Sequence, residues 1–136
     1  MIKCNPEKLY AIVDGIAEDG FAIVDDFLSP EEIDAILRLD EFKNSLLHFK
    51  KAGIGQHNDK QINEGIRGDY IQWIDPAIAP LALHRYLAKL KEVILAVNQG
   101  LFLSLKDFEI HLTNYPAGTH YKRHLDQFKK DDHRKL

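Results

Sequence analysis

Cysteine is nearly absent from this sequence: Cys4 is the single thiol among 136 residues. A lone thiol cannot form an intrachain disulfide or a Cys-based zinc ribbon, and it fits a reducing, cytoplasmic setting. Long hydrophobic runs are missing too. No stretch approaches the ~18 apolar residues that a membrane-spanning helix needs. The first residues have no apolar signal-peptide core, so neither a membrane nor export is expected. Charge of one sign is equally scarce. Eighteen basic residues against 21 acidic ones leave a formal net charge of -3, which gives no electrostatic reason for a nucleic-acid partner. The basic residues near the end (Lys129, Lys130, Arg134, Lys135) are interrupted by Asp131 and Asp132 and read as a solvated loop. Internal repeats and low-complexity segments are lacking.

What is present is the composition of a globular chain, 45% hydrophobic and 29% charged. Its length predicts a single domain over 1–136, able to bury about two-thirds of its unfolded surface. Asn5-Pro6-Glu7 starts a helix with a capping side chain, proline in the first turn and an acid near the positive end of the dipole. Leu9, Ile12, Val13 and Ile16 follow at helical spacing, and Gly20 closes it. Residues 21–28 read as a short strand. Ser29-Pro30-Glu31-Glu32 repeats the helix-start grammar, with Ile33, Ile36 and Leu37 as the expected buried stripe.

From Lys50 to Gly65, glycines and polar turn formers predict a long exposed loop, in which His57 reads as solvated. A strand follows over 66–75 and ends at Pro76. Residues 77–98 read as a helix with Leu83, Leu87, Leu90, Ile94 and Val97 inward and Gly100 just past its end. His84 and Tyr86 read as parts of its packing and surface. Residues 107–115 alternate: Phe108, Ile110 and Leu112 face one way, Glu109, His111, Thr113 and Tyr115 the other. That polar face lines a cavity or meets water; the pattern alone admits both. The fold class is α+β, with helices first and strands later.

Chemistry concentrates after that strand. A Tyr115-Pro116-Ala117-Gly118 turn leads into an extended run over 120–126 carrying His124 and Asp126. Residues two apart in an extended run point to the same side. An imidazole and a carboxylate on one face supply two members of a 2-His-1-carboxylate iron site. Spacing alone carries little weight: 7 histidines and 13 aspartates in 136 residues give about 0.7 such pairs by chance. The context of turn, polar strand face and Tyr121 is what raises it.

Together, Tyr115-Pro116-Ala117-Gly118 … Tyr121-Lys122-Arg123-His124-Leu125-Asp126 resembles the core motif of the prolyl-hydroxylase branch of Fe(II)/2-oxoglutarate-dependent dioxygenases. Ile66-Arg67-Gly68-Asp69 … Trp73-Ile74 is similar to the Arg-Gly-Asp … Trp segment of the oxygen-sensing prolyl hydroxylases and their bacterial relatives. The resemblance, over residues 20–136, implies N-terminal helices packed on a double-stranded β-helix, a jelly-roll-like core. It implies His124 and Asp126 as iron ligands and Tyr115 as a hydrogen-bond partner of 2-oxoglutarate. Arg67, Asp69, Trp73 and Tyr121 match positions near the substrate or its entrance. Fe(II), 2-oxoglutarate and O2 are the implied cofactor and co-substrates, and the family admits ascorbate as well. The implied reaction is oxidative decarboxylation of 2-oxoglutarate to succinate and CO2, coupled to hydroxylation of a C–H bond in a peptide or small molecule.

The resemblance also implies a third ligand, a histidine several dozen residues after Asp126, and a basic residue beyond it for the far carboxylate of 2-oxoglutarate. Neither is in this sequence. His133 follows Asp126 by only seven residues in a charged loop. His120 shares the parity of His124 and Asp126, but on a straight strand it lies about 13 Å from His124 and about 20 Å from Asp126. Four expected strands make only part of the barrel, so the core is expected to be incomplete and its edges open to self-association. The expectation is an oxygenase truncated after its first two iron ligands. The alternative is a catalytically incompetent remnant acting as a small metal-binding or interaction protein. A hydrolase using His124 and Asp126 as base and orienter lacks any nucleophile motif.

Overall fold

The computed structural model describes residues 4–43, 50–51 and 68–126. The expectations for His57, Arg67, His133, the 52–65 part of the predicted loop and the basic run near the end lie outside these residues. The chain divides into two compact units, one formed by Met1–Leu39 with Asp75–Phe108, the other by Asp40–Ile74 with Glu109–Leu136. Among the described residues, no helix is long and apolar enough to cross a membrane.

The first unit is helical. Helix α1 (Pro6–Asp19) starts where Asn5 accepts the backbone N–H of Glu7, and ends at Gly20, whose φ of 80° is the left-handed cap position. Its stripe of Leu9, Ile12, Val13 and Ile16 is half-buried, as the spacing predicts. Helix α2 (Pro30–Leu37) has a full capping box: Ser29 and Glu32 each accept the other's backbone N–H. The expected inward stripe of α2 does not hold. Ile33 and Leu37 are exposed, Ile36 is half-buried, and the buried residue is Glu32. The reason lies on a helix far along the chain, where Lys89 Nζ meets Glu32 Oε2 at 2.7 Å and also donates to the carbonyl of Phe27 at 2.8 Å. An ion pair therefore occupies the inward face of α2. Burial works against the Glu32 charge, but the Lys89 ammonium and the Ser29 N–H outweigh it and hold the carboxyl below the ordinary glutamate range.

The expected strand over 21–28 is also corrected. Among the described residues this segment is irregular, with a turn at Asp25–Asp26 and Asp26 at φ 53°. Side chains rather than a neighbouring strand satisfy its carbonyls: Lys8 Nζ donates to those of Asp25 and Asp26, and Lys89 to that of Phe27.

The predicted long helix starts later and ends later than its pattern suggests. Asp75 closes a turn by accepting Ala77 N–H on its side chain and Ile78 N–H on its carbonyl. Pro80, which lacks an N–H, then sits just outside a 3-10 turn at Leu81–Leu83. Helix α4 runs His84–Leu101 and buries Leu87 and Val97. Gly100 lies within it rather than after it, because α1 comes too close there for a side chain: a Cβ would overlap Val13 Cγ1. Phe102, at φ 54°, takes the left-handed cap position. Asn98 then clamps the returning chain, donating to Leu105 O at 2.9 Å and accepting Leu105 N–H at 2.8 Å.

The second unit carries a short helix, α3 (Asp40–Lys43), and an antiparallel sheet in the order β1 (Lys50–Lys51), β2 (Tyr70–Ile74), β3 (Ile110–Asn114). Lys50 and Lys51, expected to open a loop, are therefore strand. The register places Trp73 opposite His111 and Ile71 opposite Thr113, so these four share one face. Gln72 and Leu112 belong to the other. The mixture of helices and a small antiparallel sheet agrees with the α+β expectation. The run over 120–126 is not a regular strand: only Tyr121 makes a single β-bridge, and the chain bends at Asp126.

Two outcomes follow from this packing. Glu32→Ala leaves Lys89 buried without its partner, and unfolding in urea at pH 7 should show a loss of about 3 kcal/mol. Because the folded-state carboxyl is depressed, its contribution is complete above the unfolded value near 4.3 and disappears as pH falls through the lower folded value. Glu32→Gln should flatten the acid limb of the stability profile. Gly100→Ala should destabilise by about 1–3 kcal/mol despite the better helix propensity of alanine, and Val13→Ala should recover most of that loss in thermal melts.

Candidate metal centre

The segment after β3 is built by one turn. Thr119 donates to the Pro116 carbonyl through its backbone N–H at 3.0 Å and its hydroxyl at 2.6 Å. Gly118, at φ 81°, supplies the left-handed position that such a turn demands. The chain emerging from the turn is then fastened to the segment before β2, where Gly68 N–H donates to His120 O at 3.0 Å.

Past that anchor, the side chains of His124 and Asp126 meet: His124 Nε2 lies 3.1 Å from Asp126 Oδ1. Imidazole Nδ1 lies 2.7 Å from the carbonyl of Lys122. A carbonyl only accepts, so Nδ1 carries its hydrogen. That leaves Nε2 facing a carboxylate, and the contact calls for positive charge between them, either a second imidazole proton or a cation. Two donors each about 2.1 Å from one ion and at right angles lie about 3.0 Å apart, so the separation suits adjacent corners of an octahedron. Stability gives no reason for the pairing. The side chains are 34% and 72% exposed, and exposed ion pairs contribute about 0–1 kcal/mol. Tyr121 stacks on the same imidazole, with ring centroids 3.7 Å apart and planes within 16°. The donor set thus fits two positions of a non-haem iron centre. Among the described residues, no group of three or more His, Cys, Asp or Glu is gathered to hold a metal.

The other expected residues divide. Trp73, half-exposed, meets His111 edge-on across β2 and β3 at 5.0 Å. His111 Nδ1 is joined to Thr113 Oγ1 by a 2.6 Å hydrogen bond. Tyr115 follows β3 with its side chain nearly half exposed. Asp69 is fully buried immediately before β2. The structure brings Tyr121, His124 and Asp126 into direct contact, and Trp73 into contact with the polar face of β3. Reading the sequence for chemistry passed over Thr119 and treated Gly68 only as part of a motif. No residue-type signal marks Thr119; the glycine itself was the cue for close approach at 68.

No protein-family model matches the chain, and neither does any curated protein. Among solved structures, the crystal structure of a Pseudomonas putida prolyl-4-hydroxylase matches over 88% of this chain with 41% identity and a TM-score of 0.77. The chain spans 61% of the length of that protein. In fold and in sequence, then, these residues are similar to the corresponding part of a prolyl-4-hydroxylase.

Proposed function

We propose that the chain carries the first half of an Fe(II) centre of a prolyl-hydroxylase-like, 2-oxoglutarate-dependent dioxygenase acting on a peptide or small-molecule substrate. The observation that carries this reading is the 3.1 Å approach of His124 Nε2 to Asp126 Oδ1, with Nδ1 engaged by the Lys122 carbonyl. The likeness to the Pseudomonas enzyme supports it. His124 and Asp126 hold the metal through a neutral nitrogen and a carboxylate oxygen. When bound, iron with 2-oxoglutarate and O2 supplies the oxidising chemistry of C–H hydroxylation.

The protein residues do the rest. Tyr115 donates its phenol hydrogen to a carboxylate of 2-oxoglutarate. Trp73 and Tyr121 present aromatic surface on the substrate side. Arg67 and Asp69 are assigned to the same side, Asp69 from within the wall, since its side chain is wholly enclosed. A third iron ligand and a basic residue for the far carboxylate of 2-oxoglutarate complete the site in this reading. Ascorbate acts as its accompanying reductant. The second reading, a metal-binding or interaction protein without turnover, is favoured by one feature: among the described residues the metal pair has no third ligand.

Calorimetric titration of the chain with Mn(II), then with 2-oxoglutarate, separates these readings. The expected result is metal uptake that His124→Ala and Asp126→Ala each weaken at least 100-fold, with 2-oxoglutarate binding only to the metal-loaded protein. Tyr115→Phe should weaken that second step about 10-fold, the loss of one hydrogen bond to a charged group. Metal uptake without 2-oxoglutarate binding supports the second reading. Uptake indifferent to His124→Ala removes both.

A further inference from the structure

We propose that Gly68 and Tyr121 are positioning residues that aim the His124 imidazole. The inference rests on the metal assignment above. It concerns how the ligand is held, which that assignment leaves open. Three observations converge on the imidazole. Its Nδ1–H is taken by the Lys122 carbonyl at 2.7 Å, which fixes rotation in the ring plane and leaves Nε2 as the donor. One face is covered by the Tyr121 ring at 3.7 Å and 16°, which blocks tilting out of that plane. The backbone that carries both residues is held at its near end by the hydrogen bond from Gly68 N–H to His120 O.

That bond requires glycine. A Cβ at position 68 would lie 2.8 Å from Thr119 Cβ and 3.1 Å from Thr119 Cγ2, distances at which something must move. Thr119 cannot move freely, because its hydroxyl and its N–H are both engaged by Pro116 O. Any side chain at 68 therefore pushes the 119–121 segment away, and with it the ring that backs His124. The glycine of the Arg-Gly-Asp run is thus the mounting point of a metal ligand more than fifty residues later. Tyr121 acts on the imidazole through the stack.

The test reads metal affinity and ligand geometry without turnover. In the full chain, Mn(II) affinity is measured by calorimetry and the Co(II) visible spectrum reports coordination, with circular dichroism as the check on folding. Tyr121→Phe should match the parent in both readouts. Tyr121→Leu should weaken Mn(II) binding about 10-fold or more and alter the Co(II) bands, in line with losses of 10–100-fold on removal of groups that orient metal ligands. Gly68→Ala should weaken binding comparably. In a background carrying Thr119→Gly, which removes the obstructing atoms, Gly68→Ala should have little further effect. Equal affinities and Co(II) spectra for Tyr121→Leu and the parent overturn the role of the ring. A Gly68→Ala loss of the same size with and without Thr119→Gly overturns the role of the close approach. Failure of the parent chain to bind metal would instead refute the metal assignment itself.

Discussion

A Cβ at position 68 would meet Thr119 at 2.8 Å, and the local architecture of the segment carrying His124 and Asp126 depends on that close approach. Two backbone segments distant in sequence approach until a Cβ would collide with Thr119, and the contact is closed by a backbone hydrogen bond to His120. From that anchor the chain needs only four more residues to reach His124. A short tether leaves little freedom for the exposed His124 side chain to wander. The turn at Pro116–Thr119 serves the same end from the other side, since Thr119 is held by two hydrogen bonds to one carbonyl.

The helical unit is organised on a different principle. Its largest departure from an apolar core is the Glu32–Lys89 pair, which ties together the start of α2, the carbonyl of Phe27 and the middle of α4. Buried pairs contribute less to net stability than their geometry suggests, because both charges lose water. Here the same ammonium also satisfies the carbonyl of Phe27 in the irregular 21–28 segment. Lys89 also lies 5.7 Å from the centre of the Phe27 ring, and Phe27 meets Tyr86 edge-on at 6.5 Å. A segment without regular structure is therefore held by side chains at several points.

Local signals were legible in the sequence and long-range ones were not. Asn5-Pro6 and Ser29-Pro30-Glu31-Glu32 announced α1 and α2 correctly because a cap is decided within four residues. The stripe from Leu83 to Val97 gave the buried side of α4 for the same reason. Pro80 was a local signal left unused, and it moves the start of α4 to His84. Gly100 misled because a glycine near a helix end has two meanings, a cap or a contact, and only Val13 on another helix decides between them. The inward face of α2 was misread because Lys89, 57 positions away, captures Glu32. At the candidate site, parity put His124 and Asp126 on one side. The 3.1 Å separation of their polar atoms depends on side-chain rotamers, which alternation cannot express.

The partner that fixes the His124 imidazole is a main-chain oxygen. Peptide carbonyls survive every substitution, so the lysine at 122 is free to drift while the tautomer it enforces stays constant. A reader of aligned sequences would find no residue to hold responsible for that tautomer. Part of what orients the His124 imidazole is thus inherited through backbone shape and leaves no trace in the choice of amino acid.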